Sequence, residues 1–361
     1  MGSPATATRS APEIAQALQD TRVRTQGLVA GVADDDLEVV HSKLMSPLVW
    51  DLGHIAAFED LWIAHRHGGL PLLRDDLMDV YDAFETPRAG RGELPFLRPN
   101  EAREFLDAVR ERTLSLLETE RADPFTYELV IRHELQHEET MMQTMALAQL
   151  PTGGIRRDPS PGGTGLETVA VRGGSYTLGA VQDGFAYDNE RPQHEVELAP
   201  FEIGAVPVSN GAYRAFIADG GHERPGGWTE DLQREWRVDG LHELDPDAPV
   251  MHVSWYEAVT FAAAHEARLP TEFEWEAAHQ SEMLGGTGHV WEWTSSHFGG
   301  YPGFVAHPYR EYSEVFFGDD YRVLRGSSWA TSPRVAVPTF RNWDFPERRQ
   351  IFNGFRIARD G

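Results

Sequence analysis

Cysteine is absent from the 361 residues. Disulfide staples, thiolate metal sites and cysteine-dependent catalysis are excluded with it. Basic residues are scarce: Lys and Arg number 32 against 57 Asp and Glu, a formal charge of −25. A surface of that sign repels phosphate backbones, so no nucleic acid is expected as a partner. An anionic small molecule stays possible where arginines are concentrated. No apolar run approaches the roughly 20 residues that a membrane helix needs, so no membrane is expected either. The polar opening from Met1 to Thr8 lacks the apolar core of a secretion signal. These absences point to a cytoplasmic monomer that works on small molecules.

What is present is globular material, 41% apolar and 25% charged, in a length that suits two domains. The first 150 residues carry helical periodicity. Residues 1–9 are expected to be disordered. Ser10-Ala11-Pro12-Glu13 forms a capping box, and Ile14, Leu18 and Leu28 continue an apolar face. Ser46-Pro47 opens a second helix with Trp50, His54, Phe58, Leu61 and Trp62. Asn100 is expected to cap a third, with Phe105, Val109, Leu116 and Leu117 facing in, and Asp123-Pro124 opens a fourth that runs to Leu150. Four amphipathic helices over 10–150 predict a four-helix bundle. Pro151-Thr152-Gly153-Gly154 and Pro159-Ser160-Pro161-Gly162-Gly163 mark a linker over 151–167. Over 168–361 the texture changes to short strand-like runs rich in Gly and Trp, such as Val169–Tyr176 and Glu195–Leu198. Helices are expected near Asn210–Ala218 and Trp255–His265, and the stretch from Gly285 to Gly361 reads as loop. The fold class is α+β.

The chemistry starts at Arg132-His133-Glu134-Leu135-Gln136-His137-Glu138. Residues four apart share a helix face, so His133 and His137 can reach one metal ion. His54, in Leu52-Gly53-His54-Ile55 of another helix, offers a third imidazole, and Gly53 would let another backbone come close. The same residues satisfy H-E-x-x-H, which suggests a zinc hydrolase with Glu134 as general base. That reading lacks a convincing downstream third ligand. Three histidines leave three positions of an octahedron open, which suits a redox iron; zinc usually closes at four ligands.

Further motifs span the chain from about Ser10 to Gly361. In the helical part they are Trp50-Asp51-Leu52-Gly53-His54 and His133-Glu134-Leu135-Gln136-His137. Beyond it come Arg172-Gly173-Gly174-Ser175, Val253-Ser254-Trp255-Tyr256-Glu257-Ala258, Val290-Trp291-Glu292-Trp293-Thr294, Leu324-Arg325-Gly326-Ser327-Ser328-Trp329 and Gly354-Phe355-Arg356. Together they resemble the ergothioneine-biosynthesis sulfoxide synthases. Those enzymes join a DinB-like four-helix bundle to a loop-rich domain of the formylglycine-generating-enzyme type, which is C-type-lectin-like.

The resemblance implies that His54, His133 and His137 hold Fe(II). It also implies an oxygenase that joins the sulfur of γ-glutamylcysteine to the imidazole C2 of hercynine, with O2 as oxidant, giving a sulfoxide. Arg88 and Arg91, in Pro87-Arg88-Ala89-Gly90-Arg91-Gly92, would grip the carboxylates of the thiol; the guanidinium fork suits that task. Gln136 would bond the hercynine imidazole. In Phe340-Arg341-Asn342-Trp343-Asp344-Phe345-Pro346-Glu347-Arg348, Asn342 would meet the betaine carboxylate and Trp343 the trimethylammonium. Asp344 and Arg348 would hold the amino and carboxylate groups of the thiol substrate. Tyr309 is the expected proton donor and Tyr312 a substrate contact, with Tyr301 as competitor. Two departures stand out. The segments after Ala278 and before Pro249 are short, and His289 replaces the Asn or Asp usual before Val-Trp-Glu-Trp-Thr, which puts a structural calcium in doubt. A selenoneine-forming or cysteine-using relative and a zinc hydrolase are the alternatives.

Overall fold

The computed structural model describes residues 10–119, 122–152, 162–220 and 223–361. The expected disorder of 1–9, and residues 153–161 of the expected linker, lie outside the described residues. The chain divides into a unit of Met1–Ile155 with Asp183–Phe185 and a unit of Arg156–Gln182 with Ala186–Gly361.

The first unit is helical. α1 (Ala11–Val29) starts at the expected box: Glu13 accepts from the Ser10 amide at 2.7 Å and its hydroxyl at 2.8 Å. A short α2 (Asp34–Glu38) precedes α3 (Leu48–Glu59), which is buried nearly all round and passes into a π-helical stretch, Asp60–His67. Such wide turns are frequent at functional sites. α4 (Pro99–Thr119) begins one residue before the expected cap. Asn100 is exposed and accepts from Arg103 at 3.1 Å; Glu101 reaches back to the Arg98 amide at 2.9 Å. α5 (Pro124–Ala148) is capped by Asp123, which accepts from the Phe125 and Thr126 amides, and ends at Gln149 in the left-handed conformation. Phe185 stacks on Phe125 at 5.0 Å and lies under the Arg132 guanidinium at 4.7 Å. This aromatic contact explains why residues 183–185 belong with the helices.

The four long helices meet in a buried ionic clasp. Arg22 (α1) and Arg110 (α4) each contact both Glu59 (α3) and Glu134 (α5) at 2.8 Å. Burial would raise the Glu59 carboxyl, but the two guanidiniums beside it outweigh that and hold it at about 2.

The second unit is built from short elements. β1 (Thr168–Val171) pairs with β4 (Phe201–Gly204), and β2 (Gly174–Leu178) with β3 (His194–Leu198). Helix α6 (Asn210–Gly220), the hairpin β5 (Arg234–Arg237) and β6 (Gly240–Glu243), and α7 (Trp255–Ala264) follow. α8 (Glu272–Gln280), not anticipated from sequence, is capped by Thr271. The stretch from Gly285 onward is more regular than expected. β7 (Trp291–Phe298), β8 (Gly318–Arg325), β9 (Asn342–Asp344) and β10 (Asn353–Phe355) form one sheet in the order β10-β7-β8-β9, with β10 parallel to β7. β11 (Ala358–Asp360) closes the β1-β4 sheet.

The Gly/Trp motifs explain themselves here as scaffold. Arg356 and the Trp275 indole both donate to the buried Glu292 of β7, and Trp293 donates to the Val253 carbonyl at 3.0 Å. A Cβ on Gly354 would sit 2.4 Å from the Val250 carbonyl oxygen, so that β10 position admits only glycine.

Candidate metal centre

α3 presents His54, and α5 presents His133 and His137 one turn apart. One ring nitrogen from each lies within 4.8 Å of the others. The ring centroids make a nearly equilateral triangle with sides of 4.9, 4.6 and 4.6 Å. The Nε2 atoms of His54 and His133 stand 3.1 Å apart, close enough to share one ion.

Neighbours set the tautomers. The Nδ1–H of His54 donates to the Tyr81 carbonyl at 2.7 Å, and that of His137 to Asp51 Oδ1 at 3.0 Å. Each bond leaves Nε2 as the free donor for a metal. Two aromatic rings fix the planes. Trp50 stacks on His54 at 4.9 Å and 12°, and Phe58 on His133 at 3.7 Å and 9°. Both lie four residues from His54, on its own helix face. Burial, then the neighbouring imidazole of His137, lowers the pKa of His54 and His133, so both stay neutral and able to ligate. Gly53 is required for another reason than expected: a Cβ there would meet not backbone but the Tyr81 ring, at 2.1 Å.

Glu134 is unavailable as a general base. Oε1 accepts from Arg22 and from the Thr25 hydroxyl, both at 2.8 Å, and Oε2 from Arg110 at 2.8 Å. It is fully buried. The H-E-x-x-H spacing here encodes a helix clasp, and the hydrolase reading loses its base.

The arginine pair is asymmetric. Arg91 is buried and pre-oriented: it donates to Thr86 O, Ser46 Oγ and Ala83 O at 2.8, 2.7 and 3.1 Å, and lies 3.7 Å over the Trp50 ring. Arg88 is half-buried, with only long contacts to Leu44 O at 3.4 Å and Met45 Sδ at 3.9 Å. Gln136 is half-buried on α5 between the two histidines.

The second unit brings together the other predicted residues. Tyr309 meets Tyr312 edge-on at 6.2 Å, Tyr312 stacks on Tyr187 at 4.4 Å, and its edge faces Trp343 at 5.9 Å. Trp343 is held against Phe298 at 4.1 Å and 8°. On the same strand, Asn342 accepts from the Trp343 amide, and Asp344 lies 3.4 Å from Arg348, whose Nη1 is buried without a hydrogen bond. Tyr301, the competitor, is buried under Arg341 at 4.2 Å, its hydroxyl directed at Glu272 at 3.4 Å. Sequence reasoning missed Tyr81 and Tyr187, and gave no site role to Trp50, Asp51 or Phe58. The i±4 spacing of Trp50 and Phe58 about His54 was the available signal; the carbonyl of Tyr81 left none.

Comparison with known proteins agrees with this architecture. Residues 17–147 match the DinB superfamily, and residues 156–287 and 281–361 match the sulfatase-modifying factor enzyme 1-like domain. The chain is 39% identical over 425 aligned positions to the hercynine oxygenase of Mycolicibacterium thermoresistibile, covering 96% of this chain and 95% of that one. It is 38% identical to the hercynine oxygenase of Mycolicibacterium smegmatis, covering 96% and 98%, and 39% identical to that of Mycobacterium tuberculosis, covering 97% and 99%. The alignment is longer than this chain of 361 residues, so the relatives carry segments that it lacks. With both domains matched and these relatives aligned along nearly its whole length, the chain belongs to the hercynine oxygenase family and is an oxygenase.

Proposed function

We propose that the chain is a non-haem iron sulfoxide synthase of ergothioneine biosynthesis, acting on hercynine, γ-glutamylcysteine and O2. The observation that carries this reading is the triad: three imidazole nitrogens within 4.8 Å, with the free Nε2 of His54 and His137 set by Tyr81 and Asp51. A donor set of three imidazole nitrogens fits Fe(II). Held by His54, His133 and His137, that ion would supply redox chemistry toward dioxygen. In the net reaction the hercynine C2–H and the thiol S–H are lost and a C–S bond forms. One oxygen atom ends in the sulfoxide and the other in water.

The protein's own residues bind and orient. Arg88 and Arg91 hold the thiol's carboxylates. Arg91 is fixed in advance by three acceptors and the Trp50 face, whereas Arg88 is free to adjust. Gln136 bonds the hercynine imidazole and Asn342 its carboxylate. Trp343, braced by Phe298, offers its π-face to the trimethylammonium, which has no N–H to donate. Asp344 and Arg348 receive the amino and carboxylate groups of the thiol substrate; the bare Nη1 of Arg348 suits this. Tyr309 delivers the proton, with Tyr312 beside it in contact with substrate. Tyr301 suits the role less: it is buried beneath Arg341 and its hydroxyl is directed at Glu272.

The test is to load metal-free protein anaerobically with Fe(II), add both substrates and follow O2 uptake with mass detection of product. A conjugate of the two substrates plus one oxygen atom is expected; turnover with zinc alone would overturn the reading. Arg88→Ala should raise the KM for γ-glutamylcysteine by about 10- to 100-fold, the loss of one charge-assisted bond. An equal rise in the KM for hercynine would contradict the assignment.

A further inference from the structure

The second unit holds a cavity of about 470 Å³ that none of these roles uses. It lies between α6, the N-terminal turn of α7 and the chain at Glu347 and Arg349. Tyr213 lines it, is fully buried, and has a hydroxyl with no hydrogen-bond partner. A buried hydroxyl in that state is costly and points to a missing partner. Burial, then the nearby Glu257 charge, pushes this phenol up, so it stays neutral.

Glu257 stands beside it. Its Oε2 accepts from the Ser254 amide and hydroxyl, both at 2.7 Å. Its Oε1 lies 3.0 Å from Arg349 but receives no aligned hydrogen bond. Arg349 is already committed: it pairs with Glu223 at 3.2 Å and donates to the His252 and Arg224 carbonyls. The lining thus has three carboxylates, Glu223, Glu257 and Glu347, against one spent guanidinium. That balance rejects anions. Phe216, nearly buried, and Tyr256, 55% exposed, add aromatic surface.

We propose that this cavity binds a small organic ammonium ion. Its N–H groups are shared between the Tyr213 hydroxyl and Glu257, and its carbon chain lies against Phe216 and Tyr256. The polar floor asks for hydrogen-bond donors, so a protonated amine fits where a quaternary ammonium, such as that of hercynine, does not. The site therefore stands apart from the hercynine reading and needs no metal.

Calorimetric titration of the full-length, metal-free protein with n-butylammonium tests it. Butanol controls for charge and tetramethylammonium for N–H donation. One site is expected, at least tenfold tighter for butylammonium than for either control. Tyr213→Phe should weaken it about tenfold, as for one hydrogen bond to a charged group. The exposed Glu347→Gln, which leaves the core untouched, should weaken it several-fold, and Trp343→Ala should leave it unchanged. Absence of binding, equal affinity for a control, or full affinity in both Tyr213→Phe and Glu347→Gln would overturn the proposal. Loss of binding in Trp343→Ala alone would do the same, by moving the cation to the face proposed for the trimethylammonium.

Discussion

Both units bury arginine–glutamate pairs, yet the pairs do different work. In the helical unit, Arg22, Glu59, Arg110 and Glu134 come one from each long helix. Glu134 follows His133 directly, and Glu59 lies on the helix of His54. The clasp therefore fixes how far α3 and α5 are rotated, and with that where the imidazoles point. In the second unit, Arg341 takes Glu272 of α8 bidentately at 2.7 and 2.9 Å, and Arg325 takes Glu276 at 2.7 Å. There the charges hold short strands and turns, including the start of Asn342-Trp343-Asp344. One network aims the proposed metal site; the other holds a surface of loops in place. Regular helices need only their relative rotation set, whereas short strands need each turn anchored.

Removing one partner of a buried pair leaves an uncompensated charge and costs about 3–5 kcal/mol. Arg110→Ala and Arg341→Ala should both lose stability on that scale in urea denaturation. Their metal affinities should part: Arg110→Ala weakens Co(II) or Fe(II) binding, and Arg341→Ala leaves it intact. Full metal affinity in Arg110→Ala would show that the clasp stabilises without aiming.

A smaller effect sharpens the comparison within the helical unit. Asp51→Asn keeps the size of the side chain but removes the carboxylate that accepts from His137 Nδ1. Outer-shell partners of this kind are worth about 10- to 100-fold in metal affinity. Urea stability should change far less than in Arg110→Ala. Unchanged affinity would mean that the Asp51 contact is packing, and that the helix clasp alone sets His137.

How much of this was legible follows the same division. Helical spacing is local, so His133 and His137 four apart, the Ser10 box and the Asp123-Pro124 start could be read from neighbours in sequence. His54 was legible as a candidate, but its aim depends on the Tyr81 carbonyl and the Trp50 ring, set by tertiary packing. Glu134 was misleading: its spacing suited a hydrolase, and only the arginines of α1 and α4 reveal what it does. In the second unit the sheet from Gly285 onward was missed. β9 and β10 have three residues each, and β7 pairs with a strand some sixty positions later. Strands that short show no periodicity, and their pairing is non-local. The motifs of that region marked the family while hiding that most of their residues are scaffold.

The smallest prediction compares two helix starts. At Asp123 the side chain accepts from two free amides of α5, the bond geometry of a true cap. Asp123→Ala should cost about 1 kcal/mol. Asn100, chosen by the same sequence rule, sits inside α4 with its side chain on Arg103, while Glu101 satisfies the Arg98 amide. Asn100→Ala should therefore stay within about 0.5 kcal/mol, as for an ordinary exposed position. α5 carries two of the three proposed metal ligands, so Asp123→Ala should also loosen the metal slightly through fraying of that helix. Equal costs at the two positions would return Asn100 to the role of a cap and shift the start of α4 by one residue.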